Sequence, residues 1–133
     1  MKVVALLVFF SVFISVASLA QIDTLSHDDN IETTAPEFPG GSIALQEYIS
    51  KNLIYPKKAK QKRVQGKVYV QFLVKEDGNI TSIKISKGLS KECDEEVIRL
   101  IKDSPRWIPA TEDRVPIENW MILPIEFTLR NED

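Results

Sequence analysis

At 133 residues the chain has room for one domain, and its formal net charge of −2 is too small to drive binding to nucleic acid or another polyanion by bulk electrostatics. A single cysteine, Cys93, excludes an intrachain disulfide and a thiolate metal cluster. A single histidine, His27, excludes a metal site built on two imidazoles.

Met1-Lys2 gives a short positive start, and residues 3–20 are almost entirely apolar, ending in Ser18-Leu19-Ala20. Small residues at those positions are what a signal peptidase reads, so residues 1–20 read as a secretory signal peptide. An uncleaved inner-membrane anchor is the competing reading, because the apolar run lies near the lower limit of about 17–25 residues for a spanning helix. No cysteine follows the run, which excludes a lipoprotein. Export means an oxidising compartment, in which the lone thiol is best buried. Residues 21–35 are polar and lack either structural period, so they read as a flexible leader in which His27 is a solvated loop residue.

Turn chemistry opens the globular part at Pro36-Glu37-Phe38-Pro39-Gly40-Gly41. Ser42 is placed to cap a helix over residues 43–52, with Ile43, Leu45, Tyr48, Ile49 and Leu53 as an imperfect apolar stripe. Tyr55-Pro56 breaks that helix, and Pro56 suits the first turn of a second one reaching about Arg63. The second helix carries Lys57, Lys58, Lys60, Lys62 and Arg63. Two readings stand for this cluster: a solvated helix face with Ala59 as its buried contact, or a docking surface for an acidic partner or anionic membrane.

Residues 66–86 carry the clearest structural signal. Val68, Val70, Phe72 and Val74 alternate at the two-residue period of a strand with one buried face, Asp77-Gly78 offers positive φ for a turn, and residues 80–85 return antiparallel. Beyond the hairpin, Ser90 caps a helix with Glu92, Asp94, Glu95 and Glu96 in its first turns, where negative charge complements the dipole. Cys93, Val97, Leu100 and Ile101 share one face and pack on the sheet. Pro105 ends the helix, a rigid apolar connection follows over residues 105–110, and residues 111–114 form a polar turn.

The last strand, within residues 116–130, alternates Met121, Leu123, Ile125, Phe127 and Leu129 against Trp120, Ile122, Pro124, Glu126 and Thr128. Proline cannot donate to a ladder and is largely confined to edges. With the missing donor of Pro124 facing outward, Trp120, Ile122, Glu126 and Thr128 also bond outward, and the strand is an edge open to another chain.

No Ser/His/Asp set, metal cluster, P-loop or dinucleotide-binding glycine pattern is present, so the chain is not read as an enzyme and no cofactor is implied. The ordered set Pro36-Glu37-Phe38-Pro39-Gly40-Gly41, Ala44-Leu45, Asn52-Leu53, Tyr55-Pro56, Ala59, Gln65-Gly66-Lys67-Val68, Asp77-Gly78-Asn79-Ile80, Gly88-Leu89, Asp94-Glu95-Glu96, Pro105-Arg106-Trp107-Ile108-Pro109-Ala110, Val115-Pro116-Ile117 and Leu123-Pro124-Ile125-Glu126-Phe127 resembles the Bacteroidetes-type C-terminal domain of the energy transducer TonB. The resemblance covers residues 36–130. It implies an α+β fold, a small antiparallel three-stranded sheet with helices packed on one face.

It also implies a periplasmic module that meets outer-membrane TonB-dependent receptors, whose short TonB box pairs with the last strand by β-augmentation. The residues assigned to that contact are Glu118, Asn119, Trp120, Met121, Ile122, Leu123, Pro124, Ile125 and Glu126, with Tyr55 and Pro56 beside them. Retention of the first segment as an anchor would add inner-membrane proton-channel partners. A detached adaptor, or a homodimer paired through the last strand, is the alternative use of the scaffold. Ala110 and Arg114 stand where the family often has glycine, which stiffens the turn before the last strand. Residues 21–35 extend to at most about 50–54 Å, short for an anchored chain reaching the outer membrane.

Overall fold

A nine-residue strand, β2 (Gly66–Val74), is the central member of the main sheet. Its buried residues, Val68, Val70, Phe72 and Val74, have no accessible surface, as the alternation predicts. β3 (Ile80–Lys87) lies on one side of it and β6 (Asn119–Phe127) on the other, both antiparallel, in the order β3-β2-β6. These belong to a computed structural model that describes residues 30–130. The signal or anchor segment, most of the polar leader and His27 lie outside the described residues.

The turn between β2 and β3 differs from a two-residue Asp-Gly hairpin. Gly78 N–H donates to the Lys75 carbonyl at 2.9 Å, and only Gly78 has positive φ, at 84°. The loop is therefore Glu76-Asp77-Gly78, a turn closed by a left-handed glycine. Gly78 is buried, and its carbonyl accepts from the Trp107 N–H at 3.0 Å. A Cβ at position 78 would fall 2.1 Å from the Trp107 carbonyl oxygen, so only glycine fits. Ser82 at φ 55° marks an irregularity in β3, where the pairing register with β2 shifts between Gln71 and Leu73.

Three helices occupy one face of this sheet. In α3 (Lys91–Lys102) the Ser90 hydroxyl accepts from Cys93 N–H at 3.2 Å, and Cys93, Val97, Leu100 and Ile101 are the buried residues, the same four given by the spacing. α1 (Gly41–Asn52) departs from expectation at its start. Gly40, at φ 87°, is the cap, and Ser42 is already inside the helix without a capping role. The half-buried face is Ala44, Leu45, Tyr48 and Ile49, while Ile43 is 72% exposed. Leu45, Tyr48, Ile49 and Leu53 of the expected stripe are half-buried, and Ile43 alone turns outward, with Ala44 inward in its place.

α2 (Lys57–Gln61) is shorter than expected, and Pro56 caps it instead of occupying its first turn. Its end is a Schellman arrangement: Val64 N–H donates to the Ala59 carbonyl and Arg63 N–H to that of Lys60, with Arg63 at φ 54°. Ala59 is the buried contact, and the basic residues are exposed.

The core joins these layers through aromatic rings. Trp107 meets Phe72 at 5.2 Å and Phe38 at 5.5 Å, both edge-on, and Phe38 meets Tyr48 at 5.4 Å. Such pairs add about 0.5–1.5 kcal/mol beyond burial alone. Cys93 is buried, as its place on the apolar stripe of α3 predicts.

A second sheet was not expected. β1 (Thr33–Thr34), β4 (Ala110–Glu112) and β5 (Val115–Ile117) are antiparallel in the order β1-β4-β5. The polar turn at residues 111–114 is thus a tight hairpin, with Asp113 and Arg114 both left-handed at φ 48° and 67°. The end of the supposed leader is structured: Thr34 Oγ1 lies 2.9 Å from Thr111 Oγ1, and Asp113 N–H donates to the Glu32 carbonyl at 2.9 Å. The compact unit begins at Ile31 rather than Pro36. Strands of two or three residues, held by hydrogen bonds and turn geometry, are too short for an apolar period to announce them.

Candidate functional site: the outer edge of the last strand

β6 pairs with β2 over nine consecutive rows, from Gly66–Phe127 to Val74–Asn119, and with no other strand among the described residues. It is an edge. Row by row, Pro124 stands opposite Tyr69. The Tyr69 carbonyl accepts from Ser86 Oγ at 3.4 Å, on the β3 side. Tyr69 and Pro124 therefore form a non-hydrogen-bonded pair of the β2–β6 ladder, and Pro124 turns its donorless nitrogen to the free edge. Leu129 N–H, of the opposite parity, donates back to Gln65 Oε1 at 3.0 Å.

This parity sorts the nine assigned residues. Trp120, Ile122, Pro124 and Glu126 direct their main-chain groups outward and expose their side chains on the sheet face opposite the helices. Trp120 is 45% and Ile122 57% exposed. Met121, Leu123 and Ile125 direct their main-chain groups to β2 and their side chains to the helices; Ile125 is fully buried. Those three hold the strand in place, with Met121 and Leu123 half-buried. Asn119 uses its side chain on the strand itself, accepting from Trp120 N–H through Oδ1 at 2.8 Å. Glu118, just before the strand, pairs with Lys75 at 3.2 Å, and this hydrogen bond raises the lysine's pKa.

Sequence reasoning left out the neighbours on the same open face. Tyr69, Gln71 and Leu73 of β2 lie beside Pro124, Ile122 and Trp120. The Lys84 ammonium sits 5.3 Å from the Trp120 ring centroid and that of Lys87 5.8 Å from Tyr69. The period of β2 contains this signal, since its non-core positions must face the same way as those of β6.

Tyr55 and Pro56 are not on the edge. Tyr55 stacks edge-on against Phe127 at 5.4 Å, and its hydroxyl donates to the Val64 carbonyl. It ties α2 to the end of β6, and burial raises its pKa. Pro56 lines a shallow groove with Ile54, Glu92, Glu95, Glu96 and Arg99. Arg99 grips this region: its guanidinium donates to Glu96 Oε2 at 2.8 Å, Asp103 Oδ2 at 3.0 Å and the Asn52 carbonyl at 2.8 Å. Glu96 Oε1 accepts from Ile54 N–H at 2.8 Å. Burial pushes the Glu96 carboxyl up, yet the hydrogen bonds from Arg99 and Ile54 outweigh it, and the net shift is downward.

Comparison with known proteins decides the family. The profile of the Gram-negative bacterial TonB protein C-terminal region matches residues 51–129. The chain belongs to the TonB C-terminal family. Protein TonB of Helicobacter pylori is 28% identical over 91 residues in one strain and 27% in another. The match takes in 68% of this chain and 30–31% of those relatives, so the chain spans about a third of their length. A solution structure of the H. pylori TonB C-terminal domain superposes with a TM-score of 0.51 at 25% identity, over 71% of this chain and 89% of that one. This TonB-type domain thus has the α+β fold that the motifs implied.

Proposed function

We propose that this TonB-type domain binds the TonB box of outer-membrane TonB-dependent receptors in the periplasm by strand addition along β6, in support of energised uptake of large or scarce nutrients. The observation that carries the reading is the unpaired outer edge of β6, with the donorless nitrogen of Pro124 turned into it. An extended peptide laid there gains main-chain hydrogen bonds, and its alternate side chains fall beside Trp120 and Ile122. The nine-row ladder to β2 presents that edge ready-formed, so little is spent on ordering the domain. A few net hydrogen bonds of about 1 kcal/mol each, less the ordering of the peptide, give millimolar affinity or weaker, so tighter binding has to come from side-chain contacts at Trp120 and Ile122. Partners in the inner membrane, such as a proton channel, belong to the same proposal for a chain that keeps its first segment as an anchor.

Calorimetric titration of a synthetic TonB-box peptide tests it. Binding is expected, and Ile122→Pro should abolish it by removing a second outward donor. That substitution spares the β2 ladder, since the Ile122 N–H faces away from β2, and circular dichroism should be unchanged. No binding at millimolar peptide, with concentration-dependent self-association, would favour a domain that pairs with its own copy.

A further inference from the structure

The outer edge of β6 is not uniform, and its main-chain groups can be counted one by one. Four carbonyls face outward, those of Trp120, Ile122, Pro124 and Glu126, by the parity that the Tyr69–Ser86 contact fixes. The donors are fewer. Pro124 has none, and the Trp120 N–H is engaged by Asn119 Oδ1 at 2.8 Å. Within β6 two N–H groups remain for a partner, at Ile122 and Glu126, four residues or about 13 Å apart; Thr128, just past the strand, has the same parity.

A short strand can use both donors only if it spans residues 122–126. A slip of two residues, the smallest that keeps each side chain on its face, toward Asn119 would forfeit the Glu126 donor. It would need the Trp120 N–H in exchange, and Asn119 holds that group. We infer that Asn119 is a register-determining residue: by occupying the Trp120 N–H it closes the pairing shifted toward Asn119 and makes Ile122 the first donor open to an added strand. The inference rests on strand addition along β6 and specifies where the strand lies. The partner segment it describes is about five residues long and acts mainly as a donor, giving N–H groups to a carbonyl-rich edge. Its carbonyl facing Pro124 stays open to water.

Amide hydrogen exchange on the full chain, with and without a TonB-box peptide at saturating concentration, tests this. With the wild-type chain the peptide should slow exchange at Ile122 and Glu126 and leave Trp120 as it was. Asn119→Ala should speed exchange at Trp120 in the free protein. On peptide addition Trp120 should then become protected, with affinity about two- to tenfold tighter for one more net hydrogen bond. Asn119→Asp, which keeps an acceptor at the same place, should behave as wild type. Peptide-induced protection of Trp120 in the wild-type chain equal to that of Ile122 would overturn the assignment. So would an Asn119→Ala chain that binds the peptide and leaves Trp120 unprotected. Absence of any peptide-dependent protection along β6 would instead remove the strand-addition reading on which the assignment rests.

Discussion

The two sheets are held together by different physics. In the main sheet, β2 buries four side chains completely, and Phe72 lies against Trp107 in an aromatic cluster that ties strand, loop and α1 together. In the small sheet, strands of two or three residues contribute one buried side chain, Ala110; the contacts are a threonine pair, the Glu32–Asp113 exchange and a two-residue turn. Burial is non-directional and additive over area. The small sheet depends on directional bonds that water also offers, so its net stabilisation per contact is small. One sheet specifies the fold, and the other fastens a loop to it.

The largest effect should therefore come from the main sheet. Phe72→Ala is expected to cost about 3–5 kcal/mol, read as a lower denaturant midpoint for the whole domain. Gly78→Ala comes next: left-handed backbone and the collision with the Trp107 carbonyl should cost about 2–3 kcal/mol and loosen the loop that leads into β4. Were it neutral by chemical denaturation, the hairpin turn and that loop would not be coupled.

Acid should weaken the helical layer behind the main sheet. Glu96 has a folded-state pKa below its ordinary value of 4.5, so its contribution is present above that value and lost as pH falls through the folded one. Glu96→Gln should flatten the fall in stability below about pH 4.5, measured by urea midpoints across a pH series.

Smaller effects belong to the small sheet. Thr34→Val removes the oxygen that accepts from Thr111 N–H at 3.0 Å. A cost of about 1 kcal/mol is expected, with faster amide exchange confined to Thr111 and its neighbours. A global shift as large as that of Phe72→Ala would erase the distinction between the sheets. Arg114→Gly should stabilise, by about 0.5–1 kcal/mol, because glycine meets φ 67° without strain. An unchanged melting temperature would mean that unfolded-state freedom cancels the relief.

The same distinction explains what the sequence made legible. Val68 to Val74, the Cys93–Ile101 stripe and the odd residues of β6 repeat long enough for burial to impose a period, and the structure reproduces all three. Pro124 disclosed the edge because a missing donor is a property of the residue itself. The small sheet was hidden, since two or three residues are too few to display alternation. At the start of α1 the choice was hidden too: Ile43 and Ala44 are both apolar, and the sequence does not show that the smaller one faces inward. The Asn119 bond to Trp120 involves adjacent residues and leaves no mark on periodicity.

The nine-row pairing of β6 with β2 also has a mechanical meaning. The ladder bonds, carried by alternate rows of the nine, lie across the strand axis, so tension applied along β6 loads them all at once, in shear. Tension applied across the sheet would open the same rows one after another, as a zipper opens. A chain attached to the free edge and drawn along its own length thus meets the stiff direction of this sheet.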